Sequence, residues 1–193
     1  MTNPTVHLTG LMTRRQAARR AAVALGFAAI ATTLAITAGA KGFLDVRARD
    51  HCDPVTFGTG CSGSNTGDVT LQEFNDAIPN GGHEAWKFNP GISGNHVDRG
   101  GMVQVRSDGG RRHTFTRVAQ FGGGIVPQLN VAVGNAPTVP ECTTAQTEGN
   151  ANILVVQDSV QQFAAGSSPL FPRGTSRYQC CFHPWMRTTI TIR

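Results

Sequence analysis

Arg177-Tyr178-Gln179-Cys180-Cys181-Phe182-His183-Pro184-Trp185-Met186 lies close to the carboxyl end of this 193-residue chain. Cys180, His183 and Met186 fall at Cys-x2-His-x2-Met spacing, so one short loop can aim a thiol, an imidazole and a thioether at a single point. Thiolate and thioether are soft ligands that favour copper over hard cations, and imidazole serves either copper oxidation state. Two His and one Cys near a plane, with a long axial Met, form the ligand set of a type 1 copper site, so the loop lacks only one more His. His113 is the best candidate, because in Gly109-Gly110-Arg111-Arg112-His113-Thr114-Phe115-Thr116 a turn feeds an alternating, strand-like run. Cys180 is expected to be the thiolate ahead of Cys181, since it alone keeps the x2 spacing to His183 and shares a strand face with Tyr178.

Short β-like runs recur between turn signals at residues 69–74, 84–88, 102–106, 113–118, 153–157, 177–180 and 188–192. With Gly-rich turns and no long amphipathic helix after residue 40, they predict an all-β fold, a Greek-key β-sandwich with a long inserted loop. Residues 41–67, rich in Gly, Ser, Thr and Asp, read as an irregular N-terminal segment, and residues 68–193 as the copper-binding domain. The long connection, from Phe121-Gly122-Gly123-Gly124 to Asn150, is of a length that is usually functional or poorly ordered.

These residues resemble the cupredoxin family, in particular its small amicyanin and pseudoazurin members. The resemblance is carried by Trp86-Lys87-Phe88-Asn89-Pro90, Gly100 to Val105, His113-Thr114-Phe115-Thr116, and Tyr178 through Met186 leading into Thr188-Thr189-Ile190-Thr191-Ile192. It covers about residues 84 to 193, and departs from the smallest members in the long insertion and in Cys181 beside the ligand Cys. The resemblance implies a cupredoxin-like sandwich and a single copper ion held by His113, Cys180, His183 and Met186. It further implies that His183 protrudes through an apolar patch as the electron port, and that Thr114 ties the two ligand strands together.

Competing readings are weaker. A structural zinc site wants four closed Cys/His ligands, and Met is a poor zinc ligand. A Cys180/His183 catalytic dyad would place nucleophile and base three residues apart in one loop, where they should converge from separate elements. A disulfide-bonded sandwich whose His and Met merely pack is the plainest alternative. His51, His83 and His96 sit in loop-like surroundings and His7 in the leader, so none is taken as a ligand. Residues 62–73 have Gly and Glu at the sixth and twelfth places of a calcium loop but Ser, Ser and Thr where carboxylates belong. The glycines 122–124 lack the Lys-Ser/Thr and helix of a phosphate cradle.

The formal charge of +5 misleads. Arg14, Arg15, Arg19 and Arg20 precede the apolar run 21–36, which ends at Ala38-Gly39-Ala40; this is the plan of an export signal cleaved after Ala40, while an uncleaved anchor is too weakly apolar to be favoured. Setting those four arginines aside leaves the 17 basic residues near balance with the 12 acidic ones, so nucleic acid is not an expected partner. An exported, periplasmic location permits disulfides. Reserving Cys180 for copper leaves an even set, and loop economy pairs Cys52 with Cys61 and Cys142 with Cys181, although four cysteines allow other connectivities and Cys181 could be a free thiol.

The chain is therefore expected to be a monomeric electron carrier, not an enzyme, with redox partner proteins docking near His183 and no small-molecule substrate. A multicopper oxidase would carry His-Cys-His, but Gln179 and Cys181 flank Cys180. The second reading is a carrier or stress-protection module for which copper is cargo.

Overall fold

Period-two alternation builds the strands of this protein, seen in a computed structural model that describes residues 42–143 and 152–193. The expected export segment and the last part of the long connection lie outside the described residues. In chain order the elements are β1 (Phe43–Arg49), α1 (Pro54–Phe57), α2 (Leu71–Ala77), β2 (Lys87–Asn89), β3 (Asn95–Val97), β4 (Met102–Asp108), β5 (His113–Val118), α3 (Pro140–Thr143), β6 (Asn152–Val155), β7 (Val160–Ala164), β8 (Gly174–Gln179) and β9 (Arg187–Ile192). In β4 every second residue (Val103, Val105, Ser107) is buried, and in β9 so are Thr188, Ile190 and Ile192. That is the pattern of a strand with one face on a core.

One sheet has the order β2-β1-β4-β7 and the other β3-β9-β8-β5-β6. Both are mixed, because β1 runs parallel to β4 and β3 parallel to β9. The all-β sandwich expected from the sequence is the observed fold. Its core centres on Phe88, Phe115, Phe171 and Tyr178, with the Phe115 and Tyr178 rings stacked at 4.6 Å. The Tyr178 hydroxyl donates to the Leu170 carbonyl at 2.8 Å, so its polar end is satisfied inside.

β5 is buried on both faces. His113 and Phe115 look into the main core, while Thr116 and Val118 lie under a second, smaller cluster that includes Val139, Cys142 and Cys181. The long insertion supplies that cover. It includes a 3-10 segment, Pro127–Val133, and α3, and it is fixed by the Cys142–Cys181 disulfide. The second disulfide joins Cys52 to Cys61, so both expected pairings are present, and Cys180 is the free cysteine among the described residues.

Three readings of local structure are corrected. Residues 43–49 are not irregular: they form β1, the strand between β2 and β4. Val46 and Ala48 point inward while Asp45, Arg47 and Arg49 alternate outward, where Asp45 meets Arg106 and Asp108 meets Arg49. Small and charged residues thus satisfied the alternation without a large apolar run. Residues 69–74 are not a strand, because Thr70 starts α2: its hydroxyl accepts from the Glu73 amide and the Glu73 carboxylate accepts from the Thr70 amide. This reciprocal cap satisfies two free helix-end donors and outweighs the strand preference of Val69 and Thr70. His96 lies in β3, not a loop, with its side chain on the exposed face.

Candidate metal centre

The ligand loop is closed by its own backbone. β8 and β9 pair as far as Gln179 and Arg187. Beyond them the Cys180 amide donates to the Met186 carbonyl at 3.0 Å and the Met186 amide to the His183 carbonyl at 2.9 Å. Pro184 fixes one φ inside this seven-residue turn, and the Arg187 guanidinium donates to the Pro184 carbonyl at 2.8 Å.

β5 enters from the adjacent strand position and brings His113 to the same place. Its Nδ1 lies 3.8 Å from Cys180 Sγ, and His183 Nδ1 lies 3.7 Å from that sulfur. The three ligand atoms lie within 4.8 Å of one another, and His113 and Cys180 are fully buried with His183 4 % exposed. A metal bound to sulfur at about 2.3 Å and to nitrogen at about 2.0 Å, with roughly 120° between them, needs those atoms about 3.7 Å apart. The side chains already stand at that separation, so the residues present fit such an ion. Met186 is fully buried in the same core cluster as Cys180.

The surroundings of the sulfur favour its ionisation. Burial would push the Cys180 thiol up, but hydrogen bonds and charge from His113 and His183 hold it well below the usual range. The amides of Thr114 and His183 also point at it, at 3.5 and 3.4 Å. Burial lowers His183. It acts in the same sense on His113, yet the hydrogen bond to Asp50 and the contact with Cys180 push His113 up to about 9.

Asp50 is a member of this cluster that the sequence did not announce. Its Oδ2 lies 2.6 Å from His113 Nε2, and neither side chain is exposed. Burial opposes the carboxylate, but His113 and the Gly110 and Arg111 amides hold it below its ordinary range. The register Arg49↔Asp108 places Asp50 directly beside the Gly109-Gly110 turn that starts β5. Only that parallel pairing reveals it, and nothing local in Arg49-Asp50-His51-Cys52 signals a role.

Thr114 ties the two ligand strands as the resemblance implied: its hydroxyl accepts from the Cys181 amide at 2.7 Å. The insertion adds a further brace, with the Ile125 amide donating to the Cys181 carbonyl at 2.8 Å. Gly124 lies so close to that carbonyl that a Cβ there would collide with it, so the brace requires glycine. His51, His83 and His96 stand apart, engaged with Arg49, the Ala85 amide and the Gly94 carbonyl. The resemblance implied that His183 protrudes through an apolar patch, but its side chain is buried and only borders the surface, at a wall that is less apolar than implied. It is an open concavity of about 520 Å³ where Phe182 and Leu129 share the lining with Arg111 and Arg112.

Several solved structures are similar to this chain. A purple cupredoxin from Nitrosopumilus maritimus aligns over 78% of this chain and 99% of its own, at 13% identity and a TM-score of 0.39. The chain resembles the cupredoxins. Reduced auracyanin from Roseiflexus castenholzii aligns over 80% of this chain and 99% of its own, at 14% identity and a TM-score of 0.32. An amicyanin variant in its Cu(I) form aligns over 55% and 73%, at 15% identity and a TM-score of 0.32. No family model and no curated protein matches the sequence.

Proposed function

We propose that this chain is an exported one-electron carrier that holds one copper ion through His113, Cys180, His183 and Met186. The observation that carries the reading is the convergence of two imidazole Nδ1 atoms on the buried Cys180 sulfur, at 3.8 and 3.7 Å. A copper ion held there supplies a reversible one-electron couple, since thiolate and thioether suit Cu(I) and imidazole suits both states. The chain's own residues keep the surroundings fixed. The Cys180–Met186 backbone pair, Thr114 and the insertion restrain the ligand loop. The rings of Phe74 and Trp185 both meet the His183 ring edge-on, at 6.0 and 5.6 Å, which limits water. His183 is the ligand that reaches the surface concavity, and redox partner proteins dock there. The export reading rests on the basic and apolar run that ends at Ala40.

The test is purification with copper, followed by visible spectroscopy and cyclic voltammetry with metal analysis before and after repeated reduction. An intense thiolate-to-copper band and reversible one-electron cycling at constant copper content are expected. Release of copper on reduction, or its transfer to a weak chelator, would favour the cargo reading. Met186→Gln is expected to retain copper and lower the potential, because an amide oxygen is a harder ligand that favours Cu(II). An unchanged or higher potential would remove Met186 from the ligand set.

A further inference from the structure

The carboxylate behind His113 sits in a built cradle. Asp50 Oδ1 accepts from the Gly110 amide at 2.9 Å and the Cys52 amide at 3.4 Å, and Oδ2 accepts from the Arg111 amide at 3.1 Å while facing His113 Nε2 at 2.6 Å. Each carboxylate oxygen therefore meets donors. Arg111 donates to Asp50 through its backbone; its guanidinium donates to the Gly60 carbonyl at 2.7 Å and is near enough to Asp50 for the two charges to attract. The two glycines are part of the device. A Cβ on Gly109 would run into the Asp50 carboxylate, and one on Gly110 would come within 2.7 Å of the Cys52 sulfur. Neither Asp50 nor His113 is exposed, so water does not reach the pair.

We propose that Asp50 is a positioning residue of the metal centre, a buried carboxylate that holds His113 with Nε2 protonated and Nδ1 aimed at the metal, and that biases bound copper toward the oxidised state. This rests on the copper reading above. A neutral imidazole carries its proton on one nitrogen, and the acceptor at Nε2 decides which. With the proton on Nε2, the lone pair of Nδ1 lies on the Cys180 side. Such carboxylate–histidine pairs orient the ligand and raise its basicity. The charge acts as well: a full negative charge in a dry site stabilises Cu(II) more than Cu(I), which carries one positive charge fewer.

Asp50→Asn tests both parts, because an amide cannot meet both sets of donors: one of its two positions becomes NH2 facing an N–H. The variant is expected to bind copper about 10–100-fold more weakly, and to have a higher reduction potential and a displaced thiolate-to-copper band. A merely structural role would lower the melting temperature and leave the potential where it was. A folded Asp50→Asn protein with wild-type potential and affinity overturns the proposal. Should the variant not fold, long-range 1H–15N spectra of the wild-type Cu(I) protein decide. Protonated Nε2 on His113 supports the assignment, and protonated Nδ1 ends it. A wild-type protein that takes up copper without a thiolate band removes the copper reading and this inference together, whereas a band that is indifferent to Asp50→Asn removes this inference alone.

Discussion

Cys180→Ser is expected to abolish the visible band of the copper-loaded protein and to weaken copper binding by more than the ~10–100-fold that loss of an outer-shell partner costs. The sulfur is the atom on which both imidazoles and the Thr114 and His183 amides converge. A serine hydroxyl in its place stays protonated at neutral pH and is a hard donor, so both the thiolate charge and the soft ligand disappear. The fold should persist, because Cys180 is outside both disulfides and the exchange of sulfur for oxygen is nearly isosteric. Absorption spectroscopy with a copper titration checks this, and circular dichroism checks the fold. A Cys180→Ser protein that kept the band would place the thiolate elsewhere.

Removing the Cys142–Cys181 bridge in a Cys142→Ser/Cys181→Ser protein should cost about 4 kcal/mol, because the bridge spans 39 residues and closing a loop of that length restricts the unfolded chain strongly. For a domain of this size that lowers the melting temperature by about 8–16 °C. The Cys52–Cys61 bridge spans only nine residues, and its loss should cost about 2.5 kcal/mol. The ordering is the sharper part of the prediction. The insertion without its bridge is left with backbone and side-chain bonds such as Ile125 to Cys181 and Gly122 to Gln179. Calorimetry of the two double variants measures both numbers. Equal losses would mean that loop length does not govern them.

What could be read from the chain divides by the distance over which the signal acts. The ligand loop is local: Cys180, His183 and Met186 lie within seven residues, so spacing alone announces them. His113 needed one long-range inference, but its strand alternates plainly and its structural span agrees with the sequence reading. Parity and loop economy pointed to the two disulfides once one sulfur was set aside, but only the folded chain decides among the three ways of pairing four cysteines. Asp50 had no comparable signal, since its role exists only where β1 runs beside β4 and ends next to the Gly109-Gly110 turn. β1 itself hid because Val46 and Ala48 are small and the outward residues are charged. α2 hid behind β-branched residues, although Thr70 and Glu73 spell out a helix cap that strand periodicity obscured. The burial of β5 on both faces depends on the insertion folding back, which no pattern within β5 encodes.

The neighbouring cysteines at the end of β8 belong to different clusters: Cys180 to the core with Tyr178, Cys181 to the outer cluster with Cys142. Because successive side chains leave an extended chain on opposite sides, the pleat sorts two chemically identical thiols into two fates, one for the ligand cluster and one for oxidation. A slip of one residue in the pairing of β8 would exchange them, handing Cys181 to the imidazoles and Cys180 to Cys142. Sheet register in this protein is thus a form of chemical addressing, and the hydroxyl of Thr114 on the Cys181 amide is one of the contacts that holds the address.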